Sequence, residues 1–221
     1  IFPYFESYVT TYIERDVRNV EDLKNISDFS RFVRICSSLT AQEINSSHLG
    51  REVGITPQTA SRWLDLLKLS FQWFELDPYF GNTIKRISGK RKGYMSDTGL
   101  ICYLQRIASP KALMASPIFG AIFETFCVNS IIKTISTFDV KPILYHWRTA
   151  GGAEVDVVME YEGKLFPIEI KAKTNLSGHD TRGISAFFET YPSKADIGVI
   201  IYAGDRIYKV KDNIWAVPWN A

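Results

Sequence analysis

Two acids and a lysine, Asp156, Glu169 and Lys171, are the residues of this sequence best arranged to do chemistry. They lie in YHWRTAGGAEVDVVMEYEGKLFPIEIKAK, Tyr145 to Lys173, where the strand-like runs Glu154 to Tyr161 and Leu165 to Ala172 are parted by Glu162-Gly163, an acid-then-glycine turn. A two-residue turn sets Tyr161 opposite Lys164, and counting outward puts Asp156 across from Glu169 and Glu154 across from Lys171. Alternation then sends Glu154, Asp156, Glu169 and Lys171 to one face and Val155, Val157, Ile168 and Ile170 to the other. Like charges at a cross-strand pair repel, so two facing acids call for a cation. Hard carboxylate oxygens suit Mg²⁺ or Mn²⁺, which keep water and phosphate oxygens as their other ligands. Lys171 is then placed to hold or activate a water, or to stabilise charge on a phosphate. The plainer alternative is a solvated hairpin face on which Glu154 pairs with Lys171.

The hairpin needs a sheet and helices around it. Ile143 to Arg148 reads as a strand leading in, Gly178 to Tyr191 as a helix packing Ile184, Phe187 and Phe188 inward, and Ile197 to Ala203 as a buried strand. Arg206 to Val210 and Ile214 to Val217 complete a mixed α/β layer. Before the hairpin, a helix carries Ile118, Ile122, Phe126 and Ile131, with Glu124 in its first turns. Glu124 reads by default as a solvated first-turn acid favoured by the helix dipole. Arg182 can face the site from the later helix, although a surface arginine is the commoner case.

Upstream, Tyr4 to Val20 shows helical spacing with an aromatic stripe, and a second helix opens at Ser27 or Asp28. In INSSHLGREVGITPQTASRWLDLLK, Ser46 or Ser47 can cap a short helix, Gly54 breaks it, and Thr56 caps another with Pro57 at its first position. This is a helix-turn-helix pattern. Ala60, Leu64 and Leu67 face inward, leaving Gln58, Thr59, Ser61, Arg62 and Asp65 outside, with Gln58 and Arg62 the best base or phosphate readers. Phe71 to Leu76, Ile84 to Ile87 and Tyr94 onward then resemble the wing of a winged helix. Its tip bears Lys85, Arg86, Lys90, Arg91 and Lys92 with no acid among them, a composition suited to phosphate contacts or to an acidic protein partner. Asp97 to Gly99 opens a closing helix, and the interruptions at Ser109-Pro110 and Ser116-Pro117 place a boundary there. The expected domains are therefore 1–108, helical and winged, and 109–221, the mixed sheet.

Composition limits the alternatives. With 221 residues, 46% hydrophobic and 14% aromatic, the chain has material for two cores. No apolar run approaches a membrane span, and Cys36, Cys102 and Cys127 are scattered through apolar helical patterns, as suits reduced thiols in a cytoplasmic protein. Neither they nor His48, His146 and His179 make a metal-binding spacing. Between Ile44 and Arg106, nine Lys and Arg stand against five Asp and Glu, so the basic excess of a chain with net charge +2 sits in that module. The chain opens on Ile1 with no signal-peptide core and reads as a piece of a longer protein.

Asp156 followed by Glu169-Ile170-Lys171 at the end of a hairpin resembles the PD-(D/E)xK nuclease superfamily, which has a restriction-endonuclease-like fold. Together with YIERDV at Tyr12 to Val17, the helix-turn-helix, Tyr94-Met95-Ser96-Asp97-Thr98-Gly99-Leu100 and Phe123-Glu124, the pattern resembles the C-terminal half of a large prokaryotic family of AAA+ ATPases. In that family a nucleotide-binding domain precedes a winged helix and a nuclease-like module of unknown function. The resemblance implies a metal-dependent hydrolase site of Asp156, Glu169 and Lys171, with Glu124 as a further catalytic acid. Asp156, Glu169 and Glu124 would hold Mg²⁺ or Mn²⁺. It also implies DNA and the chain's own N-terminal ATPase domain as partners, with self-association into homo-oligomers open. No G-x-x-x-x-G-K-S/T run occurs, so ATP hydrolysis is not expected of this stretch. Three functions compete: a DNA-binding phosphodiesterase, a catalytically inactive DNA- or protein-binding regulator, and an assembly module of the ATPase.

Overall fold

The computed structural model describes residues 2–11, 26–81 and 89–221. Among the described residues, nine strands and eight α-helices give the mixed α/β class that the sequence leads one to expect. The chain divides into two compact units, Ile1–Glu75 with Gly93–Thr125, and Leu76–Lys92 with Phe126–Ala221. The division between these units falls within one helix at Thr125 and assigns 76–92 to the second unit.

The first unit contains α1 (Phe2–Tyr8), α2 (Ile26–Ser38), β1 (Gln42–Glu43), α3 (Ser46–Val53), α4 (Pro57–Leu69), α5 (Thr98–Leu104) and α6 (Pro110–Met114). Most of the first expected helix, with the YIERDV motif, lies outside the described residues. The cap of α3 is Asn45 rather than Ser46 or Ser47. Its backbone is extended, and its side-chain oxygen accepts from the amides of Ser47 at 2.9 Å and His48 at 3.2 Å. Gly54, at φ 85°, ends α3 in the left-handed conformation, and Thr56 caps α4 through the Thr59 amide with Pro57 next in line. Ala60, Leu64 and Leu67 are buried as the spacing requires. Trp63 lies on the same inward side, edge-on to Phe29 and Phe32 at 5.3 and 5.4 Å between ring centres.

α7 (Phe119–Ile135) carries the chain into the second unit. There, the end of β2 (Trp73–Pro78) runs parallel to β4 (Ile143–Arg148), pairing Asp77 with Tyr145 and Pro78 with His146. β4 pairs antiparallel with β5 (Glu154–Tyr161), and β5 with β6 (Lys164–Lys171). β6, β7 (Gly198–Tyr202) and β9 (Ile214–Pro218) are parallel, and β8 (Tyr208–Lys211) closes the edge antiparallel to β9. After the hairpin come a 3₁₀ turn, Gly178–Thr181, and α8 (Arg182–Thr190). Phe187 of α8 seats this helix on the sheet against Tyr79, Tyr145, Trp147, Val155, Val158 and Leu165. Burying an apolar side chain of that size stabilises by about 1.5–3 kcal/mol, which pins the helix beside the hairpin.

Cys36 and Cys127 are buried, Cys102 is half-buried, and none of the three is in a disulfide. Among the described residues no helix is long and apolar enough to cross a membrane.

Candidate functional site

The β5–β6 hairpin turns on Glu162 and Gly163, both at positive φ (50° and 77°), and pairs Tyr161 with Lys164. Two consecutive positive-φ residues match the right-handed twist of a tight hairpin, so the expected register holds outward to Val157 and Ile168. Beyond that pair the hairpin departs from the sequence reading. On the other side of β5, Tyr145 pairs with Val158 but Trp147 pairs with Val155, so two residues of β4 span three of β5. This bulge breaks the alternation: Val155 and Val158, three apart, join one core cluster with Leu165 and Phe187. Val155 was expected on the face away from the acids. Asp156 sits within the bulge, and bulges re-aim side chains in this way.

Asp156 Oδ2 accepts the backbone N–H of Ile170 at 2.9 Å, and Oδ1 accepts Lys92 Nζ at 3.0 Å. Lys171 Nζ donates to Glu169 Oε2 at 2.9 Å. The two carboxyl groups lie close enough for the charge of Asp156 to act on Glu169. The first residues of α8 close the cluster: a Cβ on Gly183 would run into Glu169 Oε1 and the carbonyl oxygen of Glu154. Only a glycine lets this helix approach so near. Glu154 does not engage Lys171; it faces Arg148 across β4 and β5, with 3.8 Å between Glu154 Oε2 and Arg148 Nη1.

The acids are 8% and 4% exposed as side chains, so their charges act in a poorly screened place. Burial alone would raise Asp156, but Lys92 and then Lys171, aided by the hydrogen bonds, hold it at about 2. Glu169 is driven well above the ordinary carboxylate range, first by burial and then by the Asp156 charge, against the pull of Lys171. Of the two carboxyl groups, Glu169 is therefore the one that holds a proton more readily. Burial would lower Lys171, yet Glu169 and Asp156 keep it protonated and raise its pKa. Asp180, buried in the 3₁₀ turn and joined to Lys173 Nζ at 2.7 Å, adds to the field at Lys171.

Other residues singled out from the sequence fall elsewhere. Glu124 accepts the Tyr94 hydroxyl at 2.8 Å within the first unit. Among the described residues no three His, Cys, Asp or Glu side chains form a metal-holding group. Gln58 and Arg62 are exposed on α4, while Thr59 is half-buried and its hydroxyl lies 3.0 Å from that of Thr56 at the helix cap. Lys90 is exposed, its carbonyl oxygen 3.0 Å from Nε2 of the buried His146. Arg91 Nε meets Asp77 Oδ1 at 2.7 Å. Lys85 and Arg86, with the strand expected at Ile84 to Ile87, lie outside the described residues. Arg182 is exposed in the first turn of α8. Lys92, grouped by sequence with the wing tip, is instead the 13%-exposed partner of Asp156 in β3 (Lys92–Met95).

Two hard carboxyl groups, with Glu169 held toward its neutral form by burial and then by the Asp156 charge, make a donor set that a divalent cation suits. Each is also engaged by a lysine, so such an ion would have to displace at least one ammonium group.

Fold and site together define a mixed α/β protein with a buried acid–lysine cluster at the open end of a hairpin. A family model described as a domain of unknown function, DUF4143, matches residues 119–221, and another so described, DUF8612, matches residues 2–111. The chain is similar to uncharacterized proteins of Mycobacterium tuberculosis and Mycobacterium bovis, each 29% identical over 213 residues, covering 96% of this chain and 46% of the relative. It thus spans about half the length of the curated relatives it matches.

Proposed function

We propose that this chain is the nucleic-acid-binding, nuclease-like part of a larger AAA+ ATPase, with a winged helix that grips DNA and a site for metal-dependent phosphodiester hydrolysis. The observation that carries this reading is the gathering of Asp156, Glu169 and Lys171 at the end of one hairpin, with Lys171 bonded to Glu169 and under the charge of both acids, in keeping with the PD-(D/E)xK pattern. Asp156 and Glu169 would hold Mg²⁺ or Mn²⁺, which when bound supplies an acidified water and counter-charge for a phosphate. Lys171, kept protonated by both acids, is the cation that would orient the scissile phosphate and stabilise its developing charge. Burial of the acids excludes bulk water and makes those charges effective. Exposed Gln58, Arg62, Lys90 and Arg91 supply donors for a duplex, phosphate contacts providing affinity and Gln58 the chance of base readout.

A second reading, an inactive regulator or assembly module, is favoured by the Lys92–Asp156 ion pair, which satisfies the acid without metal. Cleavage of linear, supercoiled and branched DNA with Mg²⁺ or Mn²⁺, beside Asp156→Asn and a gel shift in EDTA, separates the readings. Metal-dependent cutting lost in the variant supports the hydrolase. Binding without cutting supports the regulator, and neither supports the assembly module.

A further inference from the structure

Asp156 and Glu169 face two ammonium groups, so with every group ionised the cluster of Lys92, Lys171, Asp156 and Glu169 is formally neutral. A metal ligated by Asp156 needs an oxygen that is not already committed. Oδ2 is held by the Ile170 amide, part of the hairpin's own bonding, whereas Oδ1 is held by Lys92, from a strand 64 residues earlier in the sequence. Lys92 is therefore the partner that can be displaced without undoing the hairpin. An ammonium left beside a divalent ion in so buried a place would be strongly repelled.

We propose that Lys92 is a built-in counter-ion at the metal position, competing with divalent metal for Asp156, so that metal enters as Lys92 leaves. Lys92 is here a positioning residue. The inference rests on the metal-holding reading of Asp156 and Glu169 and adds what sets the affinity of that site. Lys92 closes the basic sequence that includes Lys90 and Arg91, so the residue that blocks the ion is continuous with side chains proposed to meet phosphate.

The test is Mn²⁺ binding to the whole chain, measured by electron paramagnetic resonance of free Mn²⁺ and by titration calorimetry, with no DNA present. Lys92→Gln keeps a hydrogen-bond donor and loses the charge, and Lys92→Met removes both; circular dichroism establishes that each folds. Both variants are expected to bind Mn²⁺ at least about tenfold more tightly than the unaltered chain, a factor equivalent to 1.4 kcal/mol. Lys92→Arg, which retains the charge, should show no gain, and adding Asp156→Asn to Lys92→Gln should erase it. If folded Lys92→Gln binds no more tightly while the unaltered chain binds through Asp156, the counter-ion role fails and the metal-holding reading stands. If none of these proteins binds Mn²⁺, both are overturned.

Discussion

The backbone N–H of Ile170 donates to Asp156 Oδ2 at 2.9 Å, just past Val157 and Ile168, the last regular pair of the hairpin. A carboxylate thus does the work of a strand carbonyl, and the residue best suited to chemistry also holds β5 to β6. Fold and site are coupled through one side chain.

Asp156→Ala should therefore destabilise the chain as well as disable the site. It strips the acceptor from a buried amide and leaves Lys92 without its carboxylate, an uncompensated-charge loss of about 3–5 kcal/mol. Asp156→Asn can still accept the amide and should lose clearly less. Urea denaturation of the two variants is the measurement; equal losses would show that the Ile170 bond adds nothing.

The acid pair also sets the pH dependence of stability. Asp156, lowered from 3.8 to about 2, contributes stability that is present above about pH 3.8 and lost as pH falls through 2, about 2 kcal/mol at 1.36 kcal/mol per unit. Glu169 acts in the opposite sense. Folded Glu169 keeps a proton that the unfolded chain releases above about 4.5, so stability declines as pH rises beyond that point. Glu169→Gln, neutral throughout, should remove this decline and gain on the unaltered chain as pH rises above 4.5. Parallel stability curves over that range would contradict the assignment of the proton to Glu169.

How much of this could be read from the sequence follows the range of the interactions. β4 and β5 begin and end at the expected residues because alternation and turn chemistry are local. The bulge at Asp156 was invisible because β5's own pattern is regular; the extra residue appears only against β4, seen in the Tyr145–Val158 and Trp147–Val155 pairs. Lys92 was legible as a charge and illegible as a partner, since nothing nearby distinguishes it from Lys90 and Arg91. Asn45 competes as a cap with two serines of similar capping preference, and only backbone angles separate them. Gly183 gave no signal at all, because its reason is the proximity of Glu169 and the Glu154 carbonyl.

Gly183 supplies a third prediction. In Gly183→Ala the new methyl meets a backbone carbonyl oxygen and a buried carboxylate, so α8 must move and drag Phe187 from its core. Helix propensity alone would favour alanine by about 1 kcal/mol, whereas overpacking costs about 1–3 kcal/mol or more. The expected sign is a net loss of stability, read by thermal denaturation beside Arg182→Ala, which should be nearly neutral at its exposed position. A stabilised Gly183→Ala would mean that α8 can retreat without disturbing Glu169.

The proposed nucleic-acid binding by Gln58, Arg62 and the basic segment can be tested by mutation. A side chain that meets phosphate releases a counter-ion, so Arg62→Ala and Lys90→Ala should each weaken duplex binding similarly for all sequences and reduce the salt slope by about one. Gln58→Ala should instead narrow the difference between preferred and unrelated duplexes, by about 1–3 kcal/mol if its amide reads a base. Thr59→Ala is a control of another kind, because its hydroxyl sits beside Thr56 in the helix cap and its loss should be seen in stability before affinity. Fluorescence anisotropy at several salt concentrations separates these effects. Unchanged salt slopes in both charge variants would remove DNA as a partner of these side chains.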